Sequence, residues 1–294
     1  MPEVFMKVAY LACAEVLATA ANRRPDAYEH DRELAAFTPA FAARGITLTE
    51  VDWRACDPAA FDLVFIRTTW DYTEREAEFL GFLDRAGAVT RVANAPELIR
   101  WNLSKRYLQD LAARGLPVIP SVFTEASVPL IQAFDRLDVE ELVLKPVVGS
   151  SGFGQARLTR AEAAGRSLDP GLFAQPLIPE ILTEGEISYI FVAGAFSHAV
   201  RKTSGAGDYR IQIIHGGQEQ AHYPDAGEIA VAQAFIDALP VPALAARVDL
   251  VPHRGQLLLM ELEVVEPHLF PHFAPDLGER LAEACCECVS SPAP

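Results

Sequence analysis

The sequence predicts an α/β protein: an open parallel sheet at the N-terminus, followed by α+β lobes. Three observations predict this. Residues 6–93 alternate apolar strands with amphipathic helices, the rhythm of a parallel open sheet. Mid-chain, Leu142-Val143-Leu144 delivers Lys145 and Pro146 into a glycine-rich loop inside a smaller lobe of mixed elements. The last third is dominated by strands, one of which carries Glu261 and Glu263 in a two-residue period.

At 294 residues the chain is long for one core and suits two or three lobes. Half its residues are apolar and 22% are charged, as in soluble globular proteins. A net charge of −15 argues against nucleic acid, whose phosphates it would repel, yet allows a local basic pocket. Cys13 and Cys56 are isolated, while Cys285, Cys286 and Cys288 cluster. Five cysteines without framework spacing read as reduced thiols in a cytoplasmic protein. The C-C-x-C cluster could hold a metal, but no second pair or nearby histidine accompanies it. The run Val8–Ala14 resembles a short signal h-region; Glu15 interrupts it and Glu3 spoils a basic start, so it reads as a buried strand. No stretch approaches the length of a membrane span.

In chain order, residues 6–12 form a strand and 31–44 a helix with Leu34, Phe37 and Phe41 on one face, closed by Gly45. Strands at 46–51 and 62–67 follow, then a helix from about Glu74 and a strand at 89–93. Ligands of open parallel sheets gather at the carboxyl ends of strands. Arg67, Thr69 and Asp71 lie at such an end, where a solvated surface loop fits equally. Pro96 suits a first helical turn. Lys105 opens the next helix, through Tyr107, Leu108 and Leu111, where a lysine is ordinarily just solvated. A strand at 118–123, a helix at 129–137 and the strand into the glycine loop make the middle lobe, with 155–158 as partner strand. Residues 171–178 read as a strand broken by Pro176, whose freed backbone groups can recognise an adenine edge. Strands at 186–192, 195–202, 209–214, 246–251 and 256–264 follow, with helices at 228–239 and from about Pro275.

The chemistry concentrates in two stretches. Gly149-Ser150-Ser151-Gly152-Phe153-Gly154 can bring backbone N–H groups against phosphate, and Lys145 adds a compact positive charge. An ordinary hairpin turn fits the loop as well. The spacing is neither a P-loop nor a dinucleotide fingerprint. Glu261 and Glu263 share a strand face with apolar neighbours, and Asp249 sits in a second apolar strand. Adjacent carboxylates in such surroundings need a cation, and hard oxygen ligands suit Mg²⁺ bridging phosphates; a solvated edge strand is the alternative.

In this order the pieces resemble the ATP-grasp superfamily of carboxylate–amine ligases. The resemblance spans about residues 94–270 and leaves the first lobe as a generic pre-ATP-grasp domain. It implies an N-terminal substrate domain at 1–94, a lid subdomain at 95–175 and a carboxylate-bearing subdomain at 176–294. Lys105 and Lys145 correspond to its two nucleotide lysines, and the 149–154 loop to its flexible cover. Gln175-Pro176-Leu177-Ile178 corresponds to the adenine hinge, with Glu180 or Glu186 on the ribose. Asp249, Glu261 and Glu263 correspond to the magnesium ligands, with Mn²⁺ as an alternative metal. Arg201-Lys202 and Asp208-Tyr209-Arg210 resemble the phosphate- and acyl-binding segment of the glutathione-synthetase-like and RimK-like branch. Thr68-Thr69-Trp70-Asp71-Tyr72, Trp101-Asn102-Leu103-Ser104-Lys105 and Glu261–Pro267 resemble a subgroup containing a D-cycloserine-forming cyclo-ligase. Glu263 and Glu266 depart from glutathione synthetases, and an acid at 266 favours a substrate presenting an ammonium group.

The activity implied is ATP-dependent C–N bond formation through an acylphosphate, releasing ADP and phosphate, on a small-molecule substrate. Arg210 would stabilise the transferring group; Arg67 and Arg201 would pair the substrate carboxylate bidentately. No catalytic base stands out, since His198, His215 and His268 suit core or surface roles. A phosphotransferase would share every nucleotide residue and need no amine. A regulatory ATP-binding module would have lost the metal carboxylates, and all three are present. Neither a membrane nor nucleic acid is an expected partner, while a homodimer is common in the superfamily.

Overall fold

The computed structural model describes residues 6–149, 152, 154–205 and 217–290. Its first sheet contains β1 (Met6–Ala12), β2 (Ile46–Asp52), β3 (Leu63–Thr68) and β4 (Arg91–Ala93), all parallel in the order β2-β1-β3-β4. Every residue of β3 is buried, as strands covered on both faces require. The covering helices are α1 (Ala27–Ala43) and α2 (Glu76–Val89). Helix α1 begins four residues before the expected 31. Its first turns bury Glu29, His30 and Glu33, so hydrophobic periodicity could not register them. The carboxyl end of β3 runs into a 3-10 turn, Trp70–Glu74.

Next come α3 (Pro96–Leu103) and α4 (Tyr107–Ala113). Lys105 does not open a helix: Ser104 is extended (φ −92°, ψ 127°), which stops α3 and leaves Lys105 in the turn before α4. The middle lobe holds β5 (Val122–Phe123), β6 (Val128–Pro129), α5 (Ile131–Leu137), β7 (Glu141–Pro146), β8 (Ala156–Thr159), β9 (Ser167–Leu168) and β10 (Leu172–Pro176). Its antiparallel sheet has the order β5-β10-β7-β8, with β6 and β9 paired separately. The strand expected at 118–123 shrinks to two residues, because its first half bonds elsewhere. Ile119 N donates to Leu259 O at 3.1 Å, and Leu259 N to Pro117 O at 2.7 Å.

The remaining elements are α6 (Glu180–Thr183), β11 (Glu186–Val192), β12 (Ala195–Thr203), β13 (Gln218–His222), α7 (Ala226–Asp237), β14 (Ala245–His253), β15 (Gln256–Glu263) and α8 (Leu277–Ser290). Their antiparallel sheet runs β13-β12-β11-β14-β15. Strand β13 was not anticipated, since Gln218-Glu219-Gln220-Ala221-His222 has no apolar alternation. The strand expected at 209–214 lies outside the described residues. One face of this sheet (Ile187, Tyr189, Phe191, Val248, Leu250, Leu262) packs on α4 and α7. Against the other, α8 wedges between the sheet and α1, joining Ile190, Val192 and Val200 to Val8, Tyr10 and Phe37 in one core. Cys285, Cys286 and Cys288 belong to that packing.

The outer edge of β15 is covered at Leu259 by the backbone of residues 117–119 and beyond it by side chains, so its backbone groups find partners without a full further strand. Asn102 Nδ2 donates to Leu262 O at 2.8 Å while its Oδ1 accepts from Val264 N at 3.0 Å. Leu262 N donates to the Tyr107 hydroxyl at 2.9 Å. Asn94 Nδ2 donates to Val264 O and Ala245 O, each at 2.7 Å. These bonds tie the segment after β4 to the strand that carries the acids.

Candidate active site

Strand alternation aligns charged side chains across the third sheet. Asp249 stands opposite both Ser188 and Glu261, Arg247 opposite Glu263, and Lys202 opposite both Glu186 and Glu219. All lie on one face. Asp249, Glu261 and Glu263 bring one carboxylate oxygen each within 4.8 Å of one another. Three acids this close require compensation. Arg247 Nε donates to both Asp249 oxygens at 3.0 Å, and its Nη2 reaches Asp249 Oδ2 at 2.9 Å and Glu263 Oε1 at 2.7 Å. Lys202 Nζ lies 2.6 Å from Glu186 and 3.5 Å from Asp249, and Ser188 Oγ donates to Asp249 at 2.5 Å.

Environment separates the acids. Burial alone would raise Asp249, but Arg247, Lys202 and the hydrogen bonds from Arg247 and Ser188 hold its carboxyl at about 2. Burial pushes Glu263 up to about 7, with Glu261 and Asp249 adding to the rise and Arg247 opposing it. Burial also raises Glu266 well above the carboxylate range, helped by Glu263. A further positive charge nearby would favour the ionised form of both acids.

Two lysines flank this row, Lys105 from the turn before α4 and Lys145 from β7 of the middle lobe. Lys105 forms an ion pair with Glu261. Lys145 shares a sheet face with Phe173 and Gln175, its antiparallel neighbours on β10. Its Nζ lies 3.1 Å from Met260 Sδ. The register of β14 and β15 slips between Asp249 and Leu250, leaving Met260 as a bulge residue, a device that re-aims a side chain. Burial lowers the Lys145 ammonium despite Glu261 and Glu186, and Lys105 adds to the lowering. Gly152 (φ +71°) and Gly154 (φ +72°) take left-handed conformations, and a Cβ on Gly154 would stand 2.9 Å from Pro146 Cγ. Ser150, Ser151, Phe153 and Arg210 lie outside the described residues.

On the hinge side, Ile178 packs with Ile119, Ile181 and Val251, flanked by Leu258 and Met260. Pro176 and Leu177 lead into this apolar patch, and Leu177 N donates to Glu141 O at 3.4 Å. Gln175 is 1% exposed; its Nε2 donates to Ser121 Oγ at 2.9 Å and its Oε1 has no partner. Of the two acids expected at ribose, Glu186 is buried against Lys202, inside the charged row. Glu180 sits apart at the rim, bonded to His253 Nδ1 at 2.9 Å.

A narrow cavity of about 10 Å³ opens beside the row, lined by Tyr72, Asn102, Lys105, Gly149, Glu263 and Glu266, with Val265. Three expectations need correction here. Arg201 faces away: it follows the alternation of Ile187 and bonds Glu184 O at 2.7 Å, because neighbours in a strand cannot share a face with Lys202. Arg67 cannot offer a bidentate edge, since Nε and Nη2 are held by Glu33 at 2.6 and 2.8 Å. Asp71 turns from the cavity to accept from Trp53 Nε1 at 2.7 Å, and Tyr72 lines it instead. Thr69 is fully buried with an unpartnered hydroxyl. Arg247, Tyr72 and Asn102 are the residues sequence reasoning passed over as site members. Two charges two residues apart in the apolar strand Ala246–Val251 were the available signal for Arg247.

Two lysines brought beside a row of carboxylates suit an ATP-grasp ligase, and comparison with solved structures agrees. D-alanine–D-alanine ligase from Bacillus anthracis shares the fold with a TM-score of 0.66 at 14% identity, over 97% of each chain. The crystal structure of D-cycloserine synthetase DcsG superposes with a TM-score of 0.80 at 30% identity, covering 97% of this chain and all of that one. Residues 8–94 match the family described as the N-terminal domain of D-cycloserine synthetase DcsG. The cycloserine biosynthesis protein DcsG of Streptomyces lavendulae is 35% identical over 266 residues, 83% of this chain and 89% of that protein. The chain belongs to the DcsG family of ATP-grasp ligases, enzymes that form a C–N bond from a carboxylate and an amine. Among the described residues no helix is long and apolar enough to cross a membrane.

Proposed function

We propose that the chain activates the carboxylate of a small amino-acid-like substrate with ATP and closes a C–N bond within that molecule; its similarity to a protein named D-cycloserine synthetase supports the reading. The placement of Lys105 on Glu261, and of Lys145 on the adjacent Met260, beside the Asp249–Glu261–Glu263 group carries this reading. A substrate carboxylate oxygen attacks the γ-phosphorus, and the bond to the ADP oxygen breaks. The amine nitrogen then attacks the acyl carbon, phosphate leaves, and the nitrogen gives up its proton.

Lys105 and Lys145 hold the phosphates and draw them toward the row. Phosphoryl transfer asks mainly for positioning and charge neutralisation, which these cations with Lys202 and Arg247 supply. The 149–154 loop, with Ser150, Ser151 and Phe153, covers the γ end, and Arg210 assists the transfer. Gln175, Pro176, Leu177 and Ile178 receive the adenine against the Met260 patch, and Glu180 at the rim takes the ribose. Asp249, Glu261 and Glu263 fit Mg²⁺ or Mn²⁺: three hard oxygen donors converge, and cationic side chains balance them. A metal held by these three residues would supply positive charge to offset that of the phosphates. Glu266, raised by burial, favours a substrate that brings an ammonium group, while Arg67 Nη1 and Thr69 Oγ1 offer polar contacts. The lobes divide at about residues 94 and 175.

The test is ATP turnover with Mg²⁺ across amino acids, dipeptides and O-ureido-D-serine, resolving nucleotide products. ADP and phosphate appearing with an amine-bearing substrate, together with a ring-closed product, are expected. AMP and pyrophosphate would overturn the acylphosphate route, and a stable phosphorylated product would make the protein a phosphotransferase.

A further inference from the structure

Glu33 and Arg67 form an ion pair in which each side chain is 1% exposed. Besides its two bonds to Glu33, Arg67 donates from Nη2 to the Pro267 carbonyl at 2.6 Å. Tyr10 Oη donates to Glu33 Oε1 at 2.7 Å. The remaining nitrogen, Nη1, is buried and has no hydrogen-bond partner. A guanidinium is a rigid planar fork, so fixing Nε and Nη2 also fixes where Nη1 points. Pro267 follows Glu266, which lines the cavity, and precedes His268, whose carbonyl accepts from Arg247 Nη1 at 3.4 Å. The Glu266–His268 turn is thus held from the first lobe by Arg67 and from the third sheet by Arg247.

We propose that Glu33 is a positioning residue for the substrate cavity. It clamps Arg67 so that Nη2 anchors the turn carrying Glu266, a residue that lines the cavity. The effect on substrate rests on the ligase reading above; the restraint of the turn does not. Burial of a charged pair is a poor reason by itself for keeping it, since apolar pairs of similar volume often serve stability as well. Anchoring a functional turn across lobes supplies another reason.

The experiment compares wild type, Glu33→Gln, Glu33→Asp and Tyr10→Phe. Backbone hydrogen exchange, which needs no substrate, is followed over residues 264–274 and over β1 and β3. Glu33→Gln should speed exchange at 264–274 about tenfold or more while β1 and β3 keep their rates, and Tyr10→Phe should leave 264–274 unchanged. If Glu33→Gln does not fold, Glu33→Asp, which keeps the charge but shortens the reach, is read in its place. With O-ureido-D-serine and ATP, Glu33→Asp should raise the KM for the amino acid about tenfold and that for ATP less than about twofold. Uniform loosening of the first lobe, wild-type exchange in the turn, or an unmoved amino-acid KM would overturn the proposal. A wild-type enzyme that does not turn over O-ureido-D-serine refutes the ring-closing reading on this substrate, and exchange still decides the role of Glu33.

Discussion

Replacing Arg247 with methionine keeps an apolar stem and removes the charge that joins Asp249 to Glu263. Asp249, 1% exposed, would keep Ser188 at 2.5 Å and Lys202 at 3.5 Å, whereas Glu263 would lose its 2.7 Å ion pair. Breaking a buried pair from one side costs about 3–5 kcal/mol, and the partners left to Asp249 place Arg247→Met at the lower end. A loss of about 3 kcal/mol lowers Tm by roughly 5 °C for a chain of this size. The variant also leaves three convergent carboxylates with less cationic cover, so Mg²⁺ without nucleotide should stabilise it more than the parent. Saturation at about a hundredfold over Kd would return close to 3 kcal/mol. Thermal melts of both proteins, with and without millimolar Mg²⁺, measure the two effects. A variant melting within about 2 °C of the parent would show that Arg247 does not hold the row together. Equal Mg²⁺ shifts in both proteins would remove the metal assignment of these acids.

The folded protein holds the Glu263 proton up to about pH 7 against an ordinary 4.5, so the stability tied to it is complete below about 4.5 and lost as pH rises through 7. Urea unfolding near pH 5 and pH 8 should show the parent losing on the order of 3 kcal/mol that Glu263→Gln keeps, and parallel pH profiles would contradict this. Asn102→Ala strips a donor from Leu262 O and an acceptor from Val264 N on the covered edge of β15, at about 2–4 kcal/mol. A urea midpoint unchanged at constant slope would mean that this edge is satisfied otherwise. Gly185 has φ +77°, and a Cβ there would stand 2.1 Å from the Lys202 carbonyl. Gly185→Ala should therefore displace the end of β12 and cost more than about 3 kcal/mol, a claim that an unshifted melting curve would defeat.

The parallel sheet was legible because buried strands such as Leu63–Thr68 are continuous apolar runs and the helices between them keep a stripe. What escaped was structure whose buried face is polar or whose partner lies far along the chain. The first turns of α1 hide Glu29, His30 and Glu33 behind no hydrophobic period. Strand β13 is an edge strand of polar residues held by backbone pairing to β12. Val118 and Ile119 carry β-forming side chains, yet the backbone of residues 117–119 goes to Leu259, about 140 positions away, which local propensity does not encode.

The site divides along the same line. Two-residue alternation sufficed for Glu261 and Glu263, and the same rule applied one strand earlier reaches Arg247 from Asp249. It also forbids Arg201 and Lys202 from serving one site, although the phase of β12 could be set only by its pairing with Glu186. Arg67 shows the opposite limit. Position at the end of a parallel strand singled it out as a substrate contact, but the acid that occupies its fork lies 34 residues away on a helix. Charged residues at strand ends are therefore best read as half of a pair until the other half is found. In this chain, finding Glu33 moves Arg67 from substrate clamp to anchor of the turn that carries Glu266.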